Sequence, residues 1–345
     1  MQVSKKNQAN ITLYLHHEEK NEASAFFEKY NVTNHGTTNI RPHSIKLQPR
    51  KARKCRFCGR SYPETTFKNA AHSIPHFLGN RYLLNDFECD KCNDIFSKYE
   101  TSLGDYLLLK RVFNGTKGKR GIPKVESFDK TEIISNDDGI ISVVGKNLNS
   151  SKNGIINKSK TTYIPIHIYK TFVKLALSVL DDNDAKYYKS FIETYLLSNT
   201  HDDDLLPIAK IGCYSVDRMN KVDEVRYLLF QKKSDCNNPH HLFSLYYADH
   251  IFTYPIPLHL NDFVKGYYAN MDIPMPPPLL FSRRSSSSKV KFERLDFGFT
   301  KNVRKVEEVE FIVDREKLKN HIEKKMAISL PENFKLDGLD FRPNL

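Results

Sequence analysis

The sequence predicts an α+β protein: a small metal-stabilised unit near the N-terminus, followed by a larger mixed α+β domain. Three observations carry that prediction. Four of the six cysteines form two Cys-x2-Cys pairs, Cys55/Cys58 and Cys89/Cys92. Beyond residue 162 the text changes to helical apolar periodicity and then to short β-prone runs. The chain has 345 residues, 39% of them hydrophobic, with 22 Phe and 18 Tyr. That is enough apolar surface for two cores and excludes disorder as the overall state.

The cysteine pairs are separated by 30 residues. Each pair presents both sulfurs to one ion, so together they can close a tetrahedral thiolate site around a structural Zn²⁺. The N-terminus MQVSKKNQAN has no apolar h-region and no run of 18 apolar residues occurs. The expectation is therefore a cytoplasmic protein with no membrane span, where thiols serve as ligands rather than disulfides. Zinc also explains how so short and polar a segment folds, since binding supplies folding free energy. Cys213 and Cys236 lie far apart and read as ordinary thiols. The run Cys236 to His241 is the other metal candidate, without the paired spacing of the first four.

Taken in order, residues 1–45 are weakly patterned, with a short helix expected over Glu18–Tyr30 and no function assigned. Residues 46–130 hold the cysteine-rich basic unit. Residues 131–162 are expected to be a linker, because from Asn147 the text runs NLNSSKNGIINKSKTT. The larger domain is placed at 163–345. Its first helix is signalled by Ile168, Phe172, Leu175 and Val179, with Pro165 just upstream, and a second is expected over Ala185–Leu197. β-prone runs follow at Pro207–Tyr214, Val225–Phe230, Leu242–Tyr247 and His250–Tyr254, with turn chemistry at Asn237-Asn238-Pro239. Met275 to Pro278 and Arg283 to Ser288 read as extended loops, and Val309–Val313 with Arg315–Met326 as a closing strand and helix.

Lys and Arg number 53 against 41 Asp and Glu, a formal charge of +12. The first 130 residues carry 23 basic and 13 acidic side chains, so most of the excess lies there. Between Arg41 and Arg60 stand Arg50, Lys51, Arg53, Lys54, Arg56 and Arg60 with no acid. A second stretch includes Lys117, Lys119 and Arg120. Clusters of this kind release counterions on meeting phosphates, which suits a nucleic-acid footprint; a solvated basic surface is the plainer alternative.

Between the cysteine pairs the order is His72-x-Ile74-Pro75, then Gly79-Asn80, then Cys89-x2-Cys92-Asn93. This pattern resembles the HNH endonucleases with a four-cysteine zinc frame, over about residues 51–125. The resemblance implies a ββα-metal unit in which two strands, a loop and a helix hold one divalent ion. It makes His72 the general base, a role that suits a neutral imidazole near neutral pH. It makes Asn80 the residue that orients the histidine loop, with Asn85 as an alternative. Asn93 takes the final position of the metal ligand set, for Mg²⁺ or Mn²⁺. In-line attack would leave a 5′-phosphate and a 3′-hydroxyl.

Many members place Asp or Glu just before the histidine, where this chain has Ala71. The ion is then expected on Asn93, phosphate and waters, helped by His76 or by one of Asp86, Glu88, Asp90 and Asp94; otherwise the site is disabled. The resemblance implies DNA as substrate and a setting in restriction or anti-phage defence. The larger domain would then receive a nucleotide signal or a protein partner, a guide-loading Argonaute being one possibility. A single ββα unit handles one phosphodiester at a time, so a double-strand cut implies a homo-oligomer or two encounters. The alternative is a zinc-stabilised nucleic-acid-binding or adaptor protein without catalysis.

Overall fold

The computed structural model describes residues 12–15, 19–38, 48–128, 130–136, 141–145, 154–216, 224–233, 238–264, 275–281 and 289–312. They fall into two compact units, drawn from 1–104 with 163–302 and from 105–162 with 303–345. The chain opens with β1 (Tyr14–Leu15), α1 (Lys20–Lys29) and β2 (Tyr30–Thr37), and α2 (Asp90–Tyr106) follows the cysteine-rich stretch. The second unit contains α3 (Leu108–Phe113), β3 (Val125–Glu126), β4 (Glu132–Ser135), β5 (Ile141–Val144) and β6 (Gly154–Tyr163). The first unit resumes with α4 (Pro165–Val179) and strands β7 (Lys210–Val216), β8 (Arg226–Lys232), β9 (His241–Tyr247), β10 (His250–Pro255), β11 (Leu279–Leu280) and β12 (Val290–Asp296). The last described strand, β13 (Val303–Ile312), returns to the second unit.

The first unit is organised on an antiparallel sheet of order β12-β7-β10-β9-β8-β2. Both faces of its centre are covered, which is why β9 and β10 read as continuous apolar runs rather than alternating ones. One face packs Leu228, Phe230, Leu242 and Ile251 with Phe26 of α1. The other meets α4, where Phe172 lies 5.1 Å from the Phe252 ring and 5.4 Å from that of Tyr254. The Tyr254 hydroxyl donates to the Phe172 carbonyl at 2.6 Å, which locks the helix to the sheet.

Helix α4 starts where Pro165 stands at its first turn, a position whose missing N–H costs nothing. The apolar stripe predicted an amphipathic helix, but α4 is buried on nearly all sides, including Lys170 and Lys174. Complete burial of a side chain such as Phe172 contributes about 1.5–3 kcal/mol. The predicted second helix is present as short α, 3₁₀ and π turns running from Asp182 to Leu196, and the Asp181 side chain caps its start by accepting from Asn183 N–H at 2.9 Å. The four β-prone runs became β7 to β10.

Two expectations need correction. Residues 1–45 are more than an extension: α1 forms over the predicted helix, and β2 pairs with β8 to complete the sheet edge. Residues 131–162 are not a bare linker, since they carry β4, β5 and β6. β4 lies between β3 and β5 in a three-stranded sheet, while β6 pairs with β13, and a small core of Val112, Val125 and Ile133 holds α3 to the sheet. Cys236, the Arg283–Ser288 loop and the Arg315–Met326 helix lie outside the described residues.

Candidate metal centre and histidine loop

The first cysteine pair sits on a tight turn. Gly59 donates its N–H to the Cys55 carbonyl at 2.9 Å and Cys55 donates to Arg60 at 2.8 Å, closing the loop that carries both sulfurs. Gly59 has φ +68°, a conformation costly for other residues, and nothing crowds its Cα. The second pair sits at the start of α2, where Asn93 N–H reaches the Cys89 carbonyl at 2.9 Å.

Ligand atoms of all four cysteines lie within 4.8 Å of one another. Cys55 and Cys92 sulfurs are 3.7 Å apart, and Cys58 and Cys89 sulfurs 3.6 Å apart. Two sulfurs bound tetrahedrally to zinc are expected about 3.8 Å apart. The donor set therefore fits Zn²⁺ in both chemistry and spacing. Hydrogen bonds from Cys55 and Cys92 draw the Cys89 thiol down, whereas its bonds to Cys55 and Cys89 push Cys92 up. A bound cation is what lets four such crowded thiols all ionise.

Between the pairs the chain is a loop closed by one isolated antiparallel bridge, and α2 follows it. His72 bridges Leu84, Ser73 donates to Leu83 at 3.0 Å and Asn85 donates to Ala71 at 2.8 Å. Asn80, completely buried, holds this loop with both ends of its side-chain amide. Its amide donates to Ile74 at 2.6 Å and Leu83 at 2.9 Å, and its oxygen accepts from Tyr82 and Leu83 N–H at 3.1 and 2.9 Å. Asn85 has a different task, donating to Glu88 at 3.0 Å and to the Ser178 hydroxyl at 3.3 Å.

His72 is half-buried, and its ring meets that of His76 edge-on with centroids 5.4 Å apart. Beneath the loop lies a cation that sequence reasoning missed. Lys174 of α4, 1% exposed at its side chain, donates to the His72 carbonyl at 2.8 Å and pairs with Glu100 at 3.0 Å and Glu88 at 3.2 Å. Burial pushes the Glu88 carboxyl up to about 7, against the pull of Lys174. Glu100 and Asn93 are both on α2, seven residues apart, so helical periodicity places them on one face. A signal for Lys174 was present: Lys170 and Lys174 interrupt an apolar helix, and a lysine buried there needs acidic or carbonyl partners.

The carboxylates considered in place of Ala71 are largely engaged elsewhere. Asp86 pairs with Arg53 at 3.1 Å and Glu88 with Lys174. Asp90 accepts from the Thr66 hydroxyl and from the N–H groups of Lys68 and Asn69 at 3.0 and 2.9 Å. Burial works against its ionisation, yet those bonds hold it below its ordinary range. Asp94 is exposed on α2. Ala71 itself is buried, with its carbonyl accepting from Asn85 N–H.

The expected basic footprint divides. Arg50, Lys51, Lys54 and Arg60 are exposed, and so are Lys117, Lys119 and Arg120 in the second unit. Arg53 and Arg56 are corrections, because both turn inward. Arg53 bonds Gln48 and Asp86. Arg56 donates to the Leu177 and Ser178 carbonyls, both at 3.0 Å, and pairs with Asp182 at 2.6 Å. It thereby satisfies carbonyls that the end of α4 leaves without helical donors.

Residues 55–105 match the family model described as HNH endonuclease. The match begins at the first of the four clustered cysteines and ends within α2, so it spans the cysteine cluster, the histidine loop and most of that helix. No curated protein and no solved structure matches the chain.

Proposed function

We propose that the protein is a metal-dependent HNH endonuclease that hydrolyses DNA phosphodiester bonds. The observation that carries this reading is the coincidence of the family match with a four-thiolate frame whose loop presents His72. His72 takes the proton from the attacking water at a ring nitrogen. Its backbone is held from below by Lys174, and Asn80 ties together the loop that follows it. The thiolate centre is structural and holds Zn²⁺.

For the reacting centre, Asn93 supplies an oxygen donor suited to Mg²⁺ or Mn²⁺, and His76, whose ring touches His72, is the adjacent imidazole. Such an ion stabilises negative charge on the phosphate and the leaving oxygen. The exposed Arg50, Lys51, Lys54 and Arg60 meet the DNA backbone, each neutralising phosphate charge without reading sequence.

The proposed setting is restriction or anti-phage defence in the cytoplasm, with the sheet of the first unit receiving a protein partner or nucleotide signal. An Argonaute partner and pairing of two protomers for a double-strand cut belong to the same proposal, which rests on the likeness of layout alone. Ala71 favours a second reading, a zinc module that binds nucleic acid without cutting it. End-labelled DNA and RNA incubated with Mn²⁺ or Mg²⁺ separate these readings: cleavage of DNA with 5′-phosphate ends supports the enzyme, cleavage of RNA alone changes the substrate, and retention of both intact supports the binder.

A further inference from the structure

Besides the four cysteines, one other group of metal-ligating side chains converges among the described residues: Asp184, His240 and His241, with ligand atoms all within 4.8 Å of one another. We propose that these three residues form a second metal site, distinct from the zinc frame and from the histidine loop, that takes a divalent late-transition ion such as Zn²⁺.

The geometry is that of a site already assembled. Nε2 of His241 lies 3.7 Å from Oδ2 of Asp184. Nitrogen and oxygen ligands bound tetrahedrally to one zinc ion are expected about 3.4 Å apart, so a small closure suffices. The His241 side chain is fully buried, and its Nε2 has no hydrogen-bond partner; Nδ1 of His240 is also buried without one. Two buried imidazole nitrogens without hydrogen-bond partners are costly unless something accepts their lone pairs.

The other nitrogen of each ring has a polar neighbour that can set its tautomer. His241 Nδ1 lies 2.9 Å from the Tyr188 hydroxyl. With Nδ1–H donating to Tyr188, the lone pair of Nε2 faces Asp184. His240 Nε2 lies 3.2 Å from the Gln231 side-chain nitrogen. Turning that amide end for end brings its oxygen to accept from Nε2–H, which leaves Nδ1 to bind. The His240 ring stacks on His259 at 4.0 Å with an interplanar angle of 6°, and its backbone N–H donates to Asp262 at 2.8 Å. Both imidazoles are therefore oriented before any ion arrives.

Two imidazoles and one carboxylate suit Zn²⁺ and its neighbours rather than Mg²⁺ or Ca²⁺, and three protein ligands leave one tetrahedral position for water. The short helical turn Asp182–Ala185 would then be held twice, by Arg56 on Asp182 and by the ion on Asp184. Occupancy would thus brace the element against which the first zinc knuckle is tied.

The test is a metal count on the full chain after equilibrium dialysis against micromolar Zn²⁺, read by mass spectrometry of the element. The expected result is two zinc ions per chain in the parent and one in His240→Ala, with the thiolate ion retained. Asp184→Asn, at a partly exposed position, gives the same loss of one ion and covers the case in which His240→Ala fails to fold. A parent that holds one zinc per chain overturns the proposal, as does a folded variant that still holds two.

Discussion

Lys174 Nζ lies 2.8 Å from the carbonyl oxygen of His72, so a cation buried in α4 holds the backbone of the candidate base. The same nitrogen binds Glu88 and Glu100, which joins the histidine loop, the start of the zinc helix and α4 in one charged cluster. The loop is therefore positioned by a helix about 100 residues away in sequence, outside the matched segment.

Replacing Lys174 by Met strands buried Glu88 and removes the donor to His72. Loss of one partner from a buried ion pair costs about 3–5 kcal/mol. Urea unfolding should show a loss of that size, with zinc content unchanged. Adding Glu88→Gln and Glu100→Gln should recover part of the stability but not the anchor on His72.

Zinc removal should unfold the cysteine-framed unit. Apparent binding free energies of structural zinc are about 10–16 kcal/mol at neutral pH, more than a small polar segment has to spare. Cys92→Ser, or a strong chelator, is expected to make residues 50–104 exchange amide hydrogen rapidly, while β9 and β10 stay protected. Slow exchange throughout the zinc-free unit would contradict the structural role.

The two kinds of cation in the basic stretch should separate cleanly. Lys54→Ala and Arg60→Ala remove exposed cations, and each is expected to lower the salt slope of DNA binding by about 0.9. Arg56→Ala deletes bonds to the end of α4, so its effect should appear in thermal stability, with the salt slope unaltered. Fluorescence anisotropy at several salt concentrations, beside melting curves, checks both.

His167 gives a pH dependence. Burial, with Lys170 nearby, holds its imidazole below the ordinary value of 6.5. The unfolded chain then binds the proton more tightly, so this contribution is complete above pH 6.5 and is lost as pH falls through the lower folded value. Parent stability should decline more steeply than that of His167→Gln on acidification below pH 6.5, as measured by urea midpoints. Parallel profiles would contradict this.

Much of the site was legible because it is local. Paired cysteines, His72 and Asn80 lie within 38 residues, and their chemistry is read from type and spacing. α4 and β7 to β10 were legible from apolar pattern. What escaped depends on long-range partners. Arg53 and Arg56 read as surface charge, since nothing in sequence joins Arg56 to the carbonyls at the end of α4. β6 alternates buried Asn157, Ser159 and Thr161 with exposed Lys158 and Lys160, a period of two without the apolar signal that reveals a strand. Lys170 and Lys174 were passed over although their cost in an apolar helix marks them as paired.

The central claim is that His72, on a zinc-built frame, cuts DNA. The most direct test incubates supercoiled plasmid with Mg²⁺ or Mn²⁺ and either the parent or His72→Ala, with zinc content and circular dichroism matched. The account predicts nicking or degradation by the parent and a loss of at least about 10²-fold in the variant, the usual contribution of a general base. Equal cleavage by both proteins would contradict it.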